Sequence, residues 1–185
     1  TESYREMVSE YCGKYGIDDY VDLCLAMIEQ ESGGIPPDVM QTAQSYYNVN
    51  PPIDSAEESI DCGTHELSDC LTKAKCKDPN DINGISLALQ GYNFGNGYID
   101  WALKNYGCYT KENAQIFSVK MCAELGYASY GDVEYVPHVL RYYVMNEETS
   151  VSNESAKTIL EELKKNNTAP AEAWDVIEKG ASLIG

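Results

Sequence analysis

Positive charge is scarce in this chain. Thirteen lysines and arginines stand against 30 aspartates and glutamates, a net charge of −17. Phosphate backbones are held by clustered cations, so nucleic acid is excluded as a partner. Loose adhesion to anionic membrane surfaces is disfavoured on the same ground. No run approaches the ~20 apolar residues that cross a bilayer, so no membrane contact is expected of this fragment. The opening "TESYREMVSEY" reads as helix and carries no signal peptide. The chain is therefore expected to be a mature fragment, exported by a segment it does not contain. Phenylalanine is also rare, two residues against 15 tyrosines. Tyrosine joins an apolar face to a polar tip, which suits either a helical core or a groove for an uncharged polymer such as a glycan. Cysteine follows no common pattern. The seven residues, Cys12, Cys24, Cys62, Cys70, Cys76, Cys108 and Cys122, contain no CxxC. Cys62, Cys70 and Cys76 with His65 fit no usual zinc spacing, so no metal site is assigned. Cys62 and Cys70 on one helix would lie ~12 Å apart and could not bridge. Cys12 and Cys24, on consecutive helices, could.

What is present is mostly helical periodicity. Residues 2–15 place Tyr4, Met7, Val8, Tyr11 and Cys12 at spacings of three and four, and Gly16 stops them. Asp18 or Asp19 can cap a second helix bearing Val21, Cys24, Leu25 and Ile28, which Gly33–Gly34 ends. Residues 34–54 read as loop. A third helix runs from Ser55 or Ser59 to Ala74, and 83–93, a segment from "IDWALKNYG" and 110–125 continue the pattern. "KDPNDING" is a turn and not a calcium loop, because Ile82 and Asn83 fall at the wrong positions. "FGNG" lacks the lysine of a phosphate loop. A last helix carries Pro137 near its first turn. Period-2 alternation is missing, so the fold class is mainly α. Composition changes near residue 144. The expected organisation is a domain over 1–144, a linker with a charged helix over 145–170, and over 171–185 either the start of a second domain or a C-terminal helix.

The stretch "MIEQESGGIPPDVMQTAQS" carries the chemistry. Glu31 falls at the end of an apolar helix. Partial burial and the negative end of the helix dipole both disfavour its charged form and raise its pKa. A glutamate titrating near pH ~6–7 serves as a general acid. Gly33 and Gly34 remove side chains beside it. Ser32 can hydrogen-bond near the turn, Gln41, Gln44 and Ser45 come after it, and "ALQGYN" supplies Tyr92 and Asn93 at the end of another helix. An amide and a phenol facing one acid form a set that binds sugar and orients water.

In order and spacing, "ESGG", "MQ" and "YN" resemble goose-type lysozymes and soluble lytic transglycosylases. "AMIEQESGG", "SIDCG", "LALQGYNFGNGYIDW" and "SYGDVEYVPHVLRYY" resemble more narrowly the lysozyme-like domain of two-domain cell-wall hydrolases from conjugative transposons of Gram-positive bacteria. In that family an NlpC-type peptidoglycan endopeptidase comes next, and "AWDVIEKGASLIG" resembles its first helix. The resemblance implies a lysozyme-like helical domain with a glycan groove and Glu31 as catalytic acid. It implies Ser32 in support of Glu31, Gln41, Tyr92 and Asn93 beside the cleaved bond, and Tyr130 and Tyr142 as further groove residues. It implies an extracellular or cell-wall monomer acting on peptidoglycan, and no cofactor. "PPDVMQ" departs from the glycine-leucine that precedes "MQ" in many transglycosylases.

A glycosidase ordinarily uses a second carboxylate, ~5–5.5 Å away to retain configuration or ~6.5–9.5 Å away to invert it. Asp38, Asp54, Glu57, Glu58 and Asp61 are the candidates. Three readings are open: an N-acetylmuramidase, a lytic transglycosylase in which the muramic 6-hydroxyl attacks and one protein acid suffices, and a non-catalytic glycan-binding module of a conjugation apparatus.

Overall fold

The computed structural model describes residues 1–43 and 52–143, which fall in the unit Thr1–Asn146. The expected linker over 145–170 and the segment 171–185 lie outside the described residues. Among the described residues there is no strand, and the domain is all-α.

A 3-10 turn at Glu2–Tyr4 leads into α1, Arg5–Tyr15. This helix buries Val8 and Cys12 and ends at Gly16 with φ 70°. Neither Asp18 nor Asp19 caps the second helix. Residues Asp18–Tyr20 form their own 3-10 turn, and Tyr20 stands at the cap of α2 without a side-chain hydrogen bond. The turn uses up the aspartates one residue too early. Helix α2, Val21–Ser32, buries the continuous run Leu23–Ile28. A helix buried on every side is central to its domain, and α2 delivers Glu31 from that position.

Helix α3, Ala56–Ala74, is capped by Ser55, whose hydroxyl accepts from the Glu58 N–H at 3.1 Å, while the Glu58 carboxylate accepts from the Asp54 N–H at 3.2 Å. Its buried residues Ile60, Gly63, Leu67, Cys70, Leu71 and Ala74 repeat at three and four, the single stripe of an amphipathic helix. Asp81 caps α4, Ile82–Phe94, by accepting from the Gly84 N–H at 3.0 Å. Gly95 breaks the chain before α5, Gly97–Asn105. Thr110 and Asn113 form a reciprocal capping box at the start of α6, Lys111–Leu125. The short α7, Tyr135–Leu140, holds Pro137 in its first turn, where the missing N–H costs nothing.

Helix α3 packs on α1 and α4, and α7 packs on α2 and α4. A second apolar centre gathers Phe94, Tyr98, Trp101, Phe117 and Tyr130 in stacked and edge-on contacts of 5.1–6.2 Å. The Tyr98 hydroxyl in this cluster donates to the Asn113 side chain at 2.5 Å, which satisfies its polar tip. All seven cysteines are thiols. Cys12 and Cys24 face each other across α1 and α2 with sulfurs 3.7 Å apart.

One close approach positions the loop after α2. A Cβ built on Gly63 would lie 2.6 Å from the Met40 sulfur and 2.8 Å from its Cβ. Met40 is wholly buried, so it has no room to retreat. Gly63→Ala is expected to destabilise the domain by about 1–3 kcal/mol through this overlap, read as a lower midpoint in urea unfolding at unchanged slope.

Candidate active site

Glu31 sits in the last turn of α2, half-buried, and Gly33 at φ 62° terminates the helix. The Ser32 hydroxyl is engaged by main-chain groups. It donates to the Val39 carbonyl at 2.9 Å and accepts from the Gly34 N–H at 3.1 Å, which ties the turn to the loop after α2. A Cβ on Gly34 would meet Thr1 and Tyr4, so that glycine makes room at the chain start and not beside Glu31.

The partner of Glu31 comes from 104 residues away. Tyr135, in the first turn of α7 and almost wholly buried, donates its hydroxyl to Glu31 Oε1 at 2.5 Å. Burial pushes the Glu31 carboxyl up to about 7. The Tyr135 hydrogen bond opposes this by favouring the charged form, while the nearby charges of Asp38 and Asp132 add to the rise. A carboxylic acid that keeps its proton up to neutrality can deliver it to a leaving oxygen.

The loop after α2 is knotted by Asp38. One carboxylate oxygen accepts from the Thr42 N–H at 2.8 Å and the Ser59 hydroxyl at 2.7 Å, and the other from the Ala43 N–H at 2.9 Å. The Met40 N–H in turn donates to the Ser59 hydroxyl at 2.9 Å. Tyr92, buried at the end of α4, donates to the Met40 carbonyl at 3.0 Å, so its hydroxyl holds this loop from beneath. Between these anchors Gln41 stands in the left-handed region at φ 53°, exposed, with its side-chain amide donating to the Asp38 carbonyl at 2.8 Å. Non-glycine residues adopt that conformation at a cost and are enriched at functional sites.

Asn93 is half-exposed on the next position of α4. Its Oδ1 accepts from the Asp132 N–H at 2.7 Å, which fixes the amide and leaves Nδ2 as the group that can donate outward. The charge of Glu31 reaches Tyr92, Tyr92 bonds the residue before Gln41, and Asn93 bonds the turn that leads to Tyr135. Tyr130 belongs to the aromatic cluster, with its hydroxyl donating to the Phe94 carbonyl at 2.8 Å. Tyr142 is exposed, lies under the Arg141 guanidinium at 4.7 Å, and lines a depression with Thr1, Arg5, Asp22 and Glu29 that does not include Glu31. Gln44 lies outside the described residues.

Among the acids weighed as second carboxylates, Asp61 is held by Lys14 at 2.7 Å and by the Tyr15 hydroxyl at 2.5 Å. Glu57 accepts from Tyr11 at 3.0 Å, and the Glu58 carboxylate accepts from the Asp54 N–H at the start of α3. Asp38 and Asp132 are the acids whose charge acts on Glu31. Tyr135 and Asp132 escaped sequence reasoning. The phrase "GDVEYVPHV" marks a helix start, but nothing local in it points across the fold to α2. Among the described residues no three His, Cys, Asp or Glu side chains converge to hold a metal.

An all-α domain that presents one desolvated glutamate at the end of a central helix is the arrangement of a lysozyme-like protein. The Lysozyme-like family profile matches residues 1–154, and the chain belongs to this family. It is 37% identical over 141 residues to the bifunctional muramidase/DL-endopeptidase CwlT of Bacillus subtilis, covering 76% of this chain and 41% of that protein. It is 33% identical over 121 residues to a pneumococcal vaccine antigen A homolog of Streptococcus pyogenes, covering 65% of this chain and 59% of that one. A crystal structure of a Staphylococcus aureus protein described as similar to lipoprotein, of the NLP/P60 family, superposes with a TM-score of 0.70 at 31% identity, over 88% of this chain and 59% of that chain. The chain thus spans about two-fifths to three-fifths of the length of these relatives.

The Glu31 environment has two measurable consequences. Folded Glu31 ionises near pH 7, against 4.5 for a free glutamate. Below pH 4.5 folded and unfolded states both hold the proton and the group is neutral to stability. Between 4.5 and 7 only the folded state holds it, so stability falls as pH rises, and above 7 the loss is constant. Glu31→Gln removes this titration. It is expected to be more stable than the wild type by about 2–3 kcal/mol at about pH 8 and by little at about pH 4.5, measured by urea unfolding at both pH values. Tyr135→Phe removes the hydrogen bond that favours the carboxylate. It should move the Glu31 midpoint upward by roughly one pH unit in a carboxyl-carbon NMR titration.

Proposed function

We propose that this domain is a peptidoglycan glycosidase, an N-acetylmuramidase that cleaves the glycan strand between N-acetylmuramic acid and N-acetylglucosamine. The observation that carries this reading is the half-buried Glu31, protonated up to about pH 7 at the end of α2. Glu31 protonates the glycosidic oxygen as its bond to the muramic sugar breaks, and a water molecule bonds to the freed anomeric carbon and releases the proton that restores Glu31. Between these steps the charge left on Glu31 is stabilised by the Tyr135 hydroxyl already bonded to it. Gln41, held on its strained loop, and Asn93, with Nδ2 free to donate, bind the sugar substituents on either side. Tyr92 and Ser32 serve by fixing the loop that carries Gln41. The muramidase named in the Bacillus subtilis relative supports the choice of substrate, and with it a cell-wall location.

A second reading rests on a specific feature. Asp61, Glu57 and Glu58 are each bonded elsewhere, and Asp38 is held by four donors from Thr42, Ala43 and Ser59. This favours chemistry with one protein acid, in which the muramic 6-hydroxyl attacks and an anhydro end forms. Digestion of purified Gram-positive peptidoglycan, read by mass spectrometry, separates the two. Reducing muramic ends support the muramidase, and 1,6-anhydro ends the transglycosylase. Glu31→Gln should reduce either product by about 10²–10⁴-fold. Binding of the wall without any released fragment would leave a glycan-binding module and remove both readings.

A further inference from the structure

Asp132 occupies a position that the catalytic reading does not explain. It lies in the turn before α7, and every polar group it has is engaged. Its N–H donates to Asn93 Oδ1 at 2.7 Å. Its carbonyl accepts from Gln90 Nε2 at 2.9 Å and from the Tyr135 N–H at 3.2 Å. One carboxylate oxygen accepts from the Glu134 N–H at 2.8 Å, and the other meets His138 Nδ1 at 2.6 Å. Gln90 and Asn93 are three residues apart on α4, so they present one face to this turn. Gln90 is fully buried, and its amide is committed to Asp132. The preceding Gly131 has φ 57°, and a Cβ there would collide with the Phe94 ring and lie 2.7 Å from Asn93 Oδ1. The turn is therefore pressed onto the end of α4 with no slack. From it the chain enters the α7 turn that carries Tyr135 to Glu31.

We propose that Asp132, clamped by His138, is a positioning residue that from a single turn sets Tyr135 against Glu31 and fixes the Asn93 amide. His138 is one helical turn into α7 and reaches back to the carboxylate, so the pair closes the turn that carries Tyr135. The inference rests on the glycosidase reading for its consequence but not for its geometry. Asp132 also acts through charge. It raises Glu31 together with Asp38, against the Tyr135 hydrogen bond, and Glu66 and Glu31 join it in acting on Tyr135. Glu134, which forms an ion pair with Lys111, acts with Asp132 on Tyr109. A side chain that braced the turn by shape alone would leave Glu31 untouched.

The test uses the full chain with Asp132→Asn, His138→Ala and His138→Asn. Asp132→Asn keeps the shape and removes the charge, so the Glu31 midpoint should fall by roughly half a pH unit in the carboxyl-carbon titration. The basic limb of the activity profile should fall with it. His138→Ala frees the carboxylate from its clamp and should lower kcat about tenfold with a smaller change in KM, because Tyr135 supports the acid that protonates the leaving oxygen. His138→Asn places an amide N–H near the position of Nδ1 and should restore most of that loss. If Asp132→Asn does not fold, the two His138 variants carry the test alone. An unmoved Glu31 midpoint in folded Asp132→Asn, or equal kcat in wild type and His138→Ala, overturns the proposal. If the wild type releases no glycan fragment, the glycosidase reading falls, and the positioning role stands only if His138→Ala raises the Glu31 midpoint by loosening the Tyr135 hydrogen bond.

Discussion

The hydrogen bond from Tyr135 to Glu31 joins the two elements on which the site depends. It spans 104 residues and links the central helix α2 to the short α7. Both partners are poorly solvated, so each needs the other. An unpaired tyrosine hydroxyl at that depth would be costly, and an ionised glutamate there would be costlier. The bond opposes burial without cancelling it. The balance leaves Glu31 at about 7 rather than fully displaced in either direction. A six-residue helix would be a weak support by itself. Here it is held by packing on α2 and α4 and by the Asp132 turn at its start.

The loop between α2 and α3 is built on the opposite logic. It has no helix or strand among its described residues, and side chains replace the missing backbone ladder. Asp38, Ser59 and Tyr92 supply that framework from the loop itself, from α3 and from α4. Buried side chains bonded to main-chain groups are the expected way to hold irregular backbone. This explains why Tyr92 is at the site without its hydroxyl being offered to a ligand. The phenol is spent on Met40, and Gln41 is the side chain that the framework leaves outside.

Much of this fold was legible in the sequence because its signals are local. Gly16 and Gly33 stop helices where the periodicity ends, Ser55 caps α3, and the stripe on α3 reads directly as a buried face. Glu31 was legible for the same reason: an acid that ends an apolar helix has few ways to be well solvated. Asp18 and Asp19 misled because two capping residues before a helix can equally nucleate a 3-10 turn. Tyr130 and Tyr142 show the limit of residue type as a signal. A tyrosine-rich chain places some phenols in an aromatic cluster and others on its surface, and composition does not say which. Tyr135 and Asp132 could not be assigned at all, since their meaning lies in contacts that only the packing of α7 creates.

Gly131 gives this site a diagnostic letter. The atoms that bar any side chain there are the Phe94 ring and the oxygen of Asn93. The ring is wedged in an aromatic cluster, so the amide is the softer neighbour. Variation at this position therefore has one outlet, and that outlet is in the site. A change in the helices and loops can be absorbed by repacking, whereas one here displaces the Asn93 amide. A residue with no side chain thus decides where the Asn93 amide can sit.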